Sequence, residues 1–345
     1  MTIAELVKKY DPENQFEVLK NSYKQIEYAR NNSYDLEGID TSRIKNIIVS
    51  GLGGSAISGD LMSNFLQNEI SLPFQVNRNY SIPQYADEST LLLASSYSGN
   101  TEETISVLNE ALTRRCQIIC LTTGGMIKEI ADRENLSVIL LQKGYQPRYS
   151  LGLSFFSLLK VLQTLKLVTT SLELIEKTIS LWKKNGDEFS AENNLSFQLA
   201  EKLVGFLPVI YATADLTSAV GNRFKCQLNE NSKVHAFHNA FPELNHNEII
   251  GWETYDERIA KLKAIFIEEE SSHPQIKKRF VITGELLTKV GVEIISLSSS
   301  QATFQERLLD LIYLTDWISY YLAIQRGKDP SEIEYIHLLK KRLAN

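Results

Sequence analysis

Asn46-Ile47-Ile48-Val49-Ser50-Gly51-Leu52-Gly53-Gly54-Ser55 is a β-branched run that breaks into a glycine-rich turn, and an amphipathic segment at 56–67 follows it. β-Branched residues favour a pleated strand, glycine permits a tight turn, and the change of apolar period behind the turn marks a helix. The same order recurs twice. Residues 90–95 run apolar into Ser96-Tyr97-Ser98-Gly99-Asn100-Thr101, with a helix expected over 102–114. Residues 117–121 run into Thr122-Thr123-Gly124-Gly125 and another helix, and 138–141 read as a fourth strand. Near-continuous apolar strands alternating with helices predict a parallel sheet covered on both faces.

The rhythm continues beyond helices expected at 154–167 and 172–182. Residues 208–213 read as a strand and 217–228 as a helix. Further strands are expected at 263–267 and 291–297, a long apolar helix at 305–324, and a last helix from 331 to about 343. The fold class is therefore α/β, with two doubly wound parallel-sheet domains and flanking helices. The expected division is 1–160, which carries both hydroxyl- and glycine-rich turns, and 161–345. Core packing is the expected role of the long apolar helix, ahead of a subunit contact.

A chain of 345 residues suits two domains better than one core. Apolar residues make up 43% and charged residues 23%, ordinary for a globular protein. Nothing reads as a signal peptide or as a run long enough to span a bilayer, so a cytoplasmic protein without membrane contact is expected. A net charge of −6 argues against nucleic acid as partner. Cys116, Cys120 and Cys226 are odd in number, which predicts buried thiols instead of disulfides. His235 and His238 form the closest histidine pair but have no third ligand at an obvious spacing, so no metal site is expected.

The two turns carry the first chemical signal. Gly53, Gly54 and Ser55 open a helix, where backbone N–H groups and the macrodipole favour an anion. The turn partly matches a dinucleotide fingerprint, but no acidic residue ends a second strand about twenty residues on. A nicotinamide cofactor is therefore disfavoured. Without a Gly-Lys-Ser/Thr step a P-loop is excluded, and no cofactor is expected. Ser96, Ser98 and Thr101 place three hydroxyls within six residues, ahead of another helix start. A simple N-cap needs one hydroxyl; three with Gly99 form a directional cradle for a phosphate monoester dianion. In an open α/β sheet both turns lie at the carboxyl ends of strands, where ligands bind.

Together these turns, through Glu102-Glu103-Thr104, are similar to the sugar isomerase (SIS) domain. Pro147-Arg148-Tyr149-Ser150-Leu151-Gly152, Asn229-Glu230-Asn231 and Glu243-Leu244-Asn245-His246-Asn247-Glu248 resemble the bifunctional phosphoglucose/phosphomannose isomerase family. The resemblance implies reversible, metal-independent isomerisation of glucose 6-phosphate or mannose 6-phosphate to fructose 6-phosphate through a cis-enediol. By the same resemblance Gly54, Ser55, Ser96, Ser98 and Thr101 match phosphate-binding positions. Arg148 matches the arginine beside C1–C2, Glu230 the proton-moving base, and His246 the ring-opening group. Lys340 matches the assisting C-terminal lysine, with Lys341 directly behind it as the alternative. It also implies a homodimer in which His246 acts on the neighbouring subunit's site.

These residue types suit that chemistry. A carboxylate on one face can move a proton between adjacent carbons; Glu230 is expected in a loop after a helix, flanked by amides suited to orient it. A histidine exchanges protons near neutrality, and an arginine opposes enediolate charge. His235 and His238 compete with His246, which is preferred for its Asn-His-Asn-Glu context. Two other readings keep the cradle: a non-catalytic SIS-type regulator, which usually adds a DNA-reading module that the first forty-odd residues are too short and in places too acidic to match, and an aminosugar-phosphate isomerase.

Overall fold

The computed structural model describes residues 1–343. Its elements in chain order are α1 (Ile3–Tyr10), α2 (Gln15–Lys20), α3 (Tyr23–Asn31), β1 (Asn46–Ser50), α4 (Gly53–Phe65), β2 (Phe74–Asn77), β3 (Thr90–Ser96), α5 (Glu102–Thr113), β4 (Gln117–Thr122), α6 (Gly125–Arg133), β5 (Ser137–Leu140), α7 (Leu151–Thr164), α8 (Leu172–Ser190), α9 (Leu195–Glu201), β6 (Leu207–Thr213), α10 (Ser218–Glu230), β7 (Phe237–Phe241), β8 (Leu262–Ile267), α11 (Pro274–Lys289), β9 (Ile294–Leu297), α12 (Phe304–Gln325) and α13 (Glu334–Leu343). They form two compact units, Asn21–Ser180 and Met1–Lys20 with Leu181–Asn345, so the division falls within α8. Relative to the expected cut after residue 160, the first unit runs on to Ser180, and the first twenty residues join the second. The reason is packing: α1 and α2 contact α12, where the Phe16 ring meets Trp317 edge-on at 5.4 Å between centroids.

In the unit Asn21–Ser180 all strands are parallel, in the order β2-β1-β3-β4-β5. Side chains alternate across a strand. Ile48, Leu92, Ala94, Ile118 and Cys120 accordingly face one way, packing with Val107, Leu108 and Ala111 of α5 and Ile127, Ile130 and Ala131 of α6. Val49, one residue out of step, faces α4, whose Gly59 lies against it. Every residue of β3 is buried, as a central strand covered on both faces requires.

The second unit repeats the plan with four parallel strands, β7-β6-β8-β9. Val209, Tyr211, Ala264 and Phe266 form one face with Phe280 and Leu287 of α11. Ala212 lies against Gly221 of α10, with α12 packed on α10 and α9. α12 starts in a capping box, Thr303 with Glu306, and is buried from Glu306 to Ile324 apart from Asp310. Trp182 stacks on Tyr313 at 4.8 Å and donates its indole N–H to Leu309 O at 3.1 Å. The long helix is thus core, as its composition predicts.

Two strands were not expected. β2 and β7 are each an edge strand beside the first strand of their sheet, and both are largely half-exposed. Their sequences, Phe-Gln-Val-Asn and Phe-His-Asn-Ala-Phe, lack the apolar run that marks a central parallel strand. No helix among the described residues is long and apolar enough to cross a membrane.

Candidate active site

In the first unit the chain leaves β1 through α4 to reach β2 on one side, then returns to β3 on the other. That reversal opens a crevice at the carboxyl ends of β1 and β3, the position where open α/β sheets bind ligands. The two singled-out turns follow those strand ends. Gly53, Gly54 and Ser55 form the first turn of α4, so the helix starts three residues earlier than expected. Its N-cap is Leu52, which has no side-chain acceptor to offer, and α5 likewise has no side-chain cap bond from Thr101. Both helices therefore present first-turn N–H groups that no capping side chain engages, a favourable surround for a phosphate.

Thr101 is instead bonded to Ser96, hydroxyl to hydroxyl at 2.8 Å, and Gly99 N donates to Ser96 Oγ at 3.1 Å. Ser98 is exposed, and its hydroxyl accepts from Asn100 N at 3.3 Å. The turn is braced from behind by the one after β4. Asn100 Oδ1 accepts from Met126 N at 3.0 Å, and Ile127 N donates to Gly99 O at 3.0 Å. Gly99 has φ +72°, and a Cβ there would fall 1.7 Å from Gly124 O, so only glycine closes this contact.

Arg148 reaches the same corner. It lies in the 3-10 turn Pro147–Tyr149 and is buried. A Cβ on Gly54 would sit 2.7 Å from Pro147 O, so the missing side chain is what lets this turn rest on the start of α4. Arg148 Nη2 donates to Gln146 Oε1 at 2.8 Å, and its guanidinium lies 5.8 Å from the Tyr149 ring centre. Gln25 of α3 donates to Tyr149 O at 2.6 Å, and Ser150 Oγ to Pro147 O at 3.0 Å. A buried, braced cation beside an anion-favouring turn is a preorganised electrostatic device.

The other three candidates belong to the second unit. Glu230 is half-buried and is the last residue of α10, not a loop residue. Of the flanking amides, Asn229 Oδ1 accepts from Ala236 N at 3.0 Å, and Asn231 donates to Ser319 Oγ at 3.0 Å. They hold the turn on which Glu230 stands. His246 is exposed at the end of the 3-10 turn Glu243–His246. Its neighbours are pinned on both sides. Asn245 donates to Thr283 Oγ1 of α11 at 3.0 Å, while Glu248 accepts from Tyr211 Oη and from Asn239 Nδ2, each at 2.6 Å. Lys340 is exposed on α13, as is Lys341. Consecutive helix residues point about 100° apart, so the two lysines serve different directions.

The competing histidines separate on burial. His235 is exposed. His238 on β7 rests against Gly221 of α10, and burial, aided by Lys225, pulls its imidazole down to about 4. It stands neutral at pH 7.

Two family models match the chain, one within each unit. A SIS-domain model matches residues 42–157, and one described as the bacterial phospho-glucose isomerase C-terminal SIS domain matches 192–343. A bifunctional phosphoglucose/phosphomannose isomerase of Caldicellulosiruptor bescii is 38% identical over 340 residues, covering 95% of this chain and 98% of that protein. The chain belongs to the bifunctional phosphoglucose/phosphomannose isomerase family. The family member of Aquifex aeolicus is 34% identical over 328 residues, 94% of this chain and 99% of its own. Among solved structures, a hypothetical protein of Thermus thermophilus shares the fold with a TM-score of 0.76 at 16% identity, covering 99% of this chain and 94% of that one.

As a member of the phosphoglucose/phosphomannose isomerase family, the chain keeps Arg148, Gly54 and the hydroxyl turn in one unit, and Glu230, His246 and Lys340 in the other. Sequence reading passed over the residues that brace them: Gln25, Asn100 and Gln146 around the first corner, and Asn245 and Glu248 around His246. Asn245 and Glu248 stand inside a motif already singled out, which was the available signal. Gln25 sits in a polar helix 124 residues from its partner, and nothing local marks it.

Proposed function

We propose that this chain interconverts glucose 6-phosphate, mannose 6-phosphate or both with fructose 6-phosphate. The observation that carries the reading is the corner where Gly54 lets the Arg148 turn rest on the α4 N-terminus, in a chain of this family. The phosphate is held by Gly53, Gly54, Ser55, Ser96, Ser98 and Thr101. Arg148 opposes the charge that builds on the enediolate oxygens. Glu230 takes the proton from C2 of the open-chain aldose and returns it to C1, through a cis-enediol, and the reverse for the ketose. His246 opens the sugar ring, with Lys340 assisting. This route calls on neither metal nor cofactor.

The working unit is a cytoplasmic homodimer in which His246 serves the partner's site. Support comes from its exposure on the single chain, on a turn pinned at Asn245 and Glu248. Mixing Glu230→Gln with His246→Ala protein tests this: a mixed dimer would regain one intact site, and no recovery after subunit exchange counts against action in trans.

The deciding assay gives purified protein each aldose phosphate separately and couples fructose 6-phosphate formation to a dye-linked readout. Turnover of at least one is expected. Binding of both without turnover would leave a sugar-phosphate-binding regulator as the reading.

A further inference from the structure

α10 turns an unusual face to the core of its unit. Arg223, Gln227 and the C-cap Asn231 recur every four residues, all buried and all polar, on the side that packs against α12. Arg223 makes a bidentate pair with Asp316, Nε to Oδ1 at 2.9 Å and Nη2 to Oδ2 at 2.7 Å. Gln227 donates to the same carboxylate at 3.3 Å. One turn further along α12, Ser319 accepts from Asn231 at 3.0 Å through its hydroxyl and from the Ser232 hydroxyl at 2.6 Å through its carbonyl. Arg326 Nε then donates to Ser232 O at 3.1 Å, and Lys233 Nζ donates to Asp329 O and, at 3.1 Å, to Asn231 O.

We infer that the ladder Arg223–Asp316–Gln227 with Asn231–Ser319 positions Glu230 for proton transfer, making Arg223 and Asp316 positioning residues of the reaction. The inference rests on the reading of Glu230 as the base. Apolar side chains of similar size would hold two helices together at least as well as a buried ion pair. What they do not supply is direction: an Arg–carboxylate fork has one good geometry, whereas an apolar contact tolerates rotation. Glu230 is seven residues, close to two full turns, beyond Arg223, so it shares that residue's face of α10. A carboxylate about 6 Å from a helix axis moves about 2 Å for a rotation of roughly 20°. A shift of about 1 Å at a reacting group already costs on the order of a hundredfold in rate. The ladder thus fixes the one degree of freedom that apolar packing leaves loose.

The test is the double substitution Arg223→Met with Asp316→Leu, compared with wild type and Glu230→Gln by thermal unfolding and steady-state kinetics on the sugar phosphate. Expected is a midpoint within a few degrees of wild type, a kcat lower by about tenfold or more, and a KM within about twofold. A merely structural pair would leave kcat in step with stability, so a well-folded double variant with wild-type kcat overturns the inference. Should the double variant fail to fold, Ser319→Ala carries the test: kcat about threefold lower or more at unchanged KM supports the ladder, and unchanged kcat overturns it. Full activity in Glu230→Gln would instead remove the reading on which the inference rests, which is a separate outcome.

Discussion

Replacing His238 with asparagine removes a titrating group that the fold keeps neutral. In the folded chain burial, with Lys225 adding to it, lowers this imidazole from 6.5 to about 4. Between those values the unfolded chain binds a proton that the folded chain excludes, so stability falls as pH drops through the window. The full penalty is about 3.5 kcal/mol, from 2.5 pH units at about 1.4 kcal/mol each, and roughly 2 to 3 kcal/mol of it is present by pH 4.5. Above pH 7 the imidazole contributes no pH dependence. At pH 7 the smaller asparagine costs about 1–3 kcal/mol through the space it leaves. The stability gap between wild type and His238→Asn should therefore shrink by roughly 2 to 3 kcal/mol between pH 7 and pH 4.5. Urea unfolding of both proteins at pH 7, 5.5 and 4.5, at matched ionic strength, measures it. A gap that stays constant across that range, or an NMR titration of His238 with its midpoint near 6.5, would refute the argument that burial keeps this ring neutral.

Other outcomes follow from the first corner. Gly54→Ala puts a Cβ 2.7 Å from Pro147 O; thermal unfolding should show a loss of about 1–3 kcal/mol, with kcat falling as the Arg148 turn is displaced. Ser96→Ala with Thr101→Ala removes the paired hydroxyls, and KM should rise by about tenfold or more while folding is kept, because the phosphate is the remote binding handle. An unchanged KM would place the phosphate elsewhere. Dialysis against EDTA should leave activity intact, and loss restored by added zinc would contradict the proposed route.

What is written locally in the chain was legible without coordinates. β3 and β4 are nearly pure apolar runs ending in hydroxyl and glycine turns, because a central parallel strand is covered on both faces and must turn sharply into its helix. The phosphate-favouring turns belong to that local grammar. β2 and β7 were not legible, since an edge strand has one open side and no need of an apolar run. Their identity as strands comes from pairing with β1 and β6.

The candidate site divides in the same way. Composition and spacing singled out Ser96, Thr101 and the Gly53-Gly54-Ser55 start of α4. Only the tertiary structure shows that Gly54 is glycine because the turn of Arg148, 94 residues on, comes to rest against it. His235, His238 and His246 are alike as letters; the fold encloses His238, where burial and Lys225 lower its imidazole to about 4, and leaves His235 and His246 exposed. Glu230 reads from sequence as a loop residue among amides. Its place at the end of a helix locked by Arg223, Asp316 and Ser319 depends on contacts spanning about ninety residues, as between Asn231 and Ser319. Periodicity and turn chemistry act between near neighbours and so can be read along the chain. Burial and directional pairing between distant residues arise only once the chain has folded.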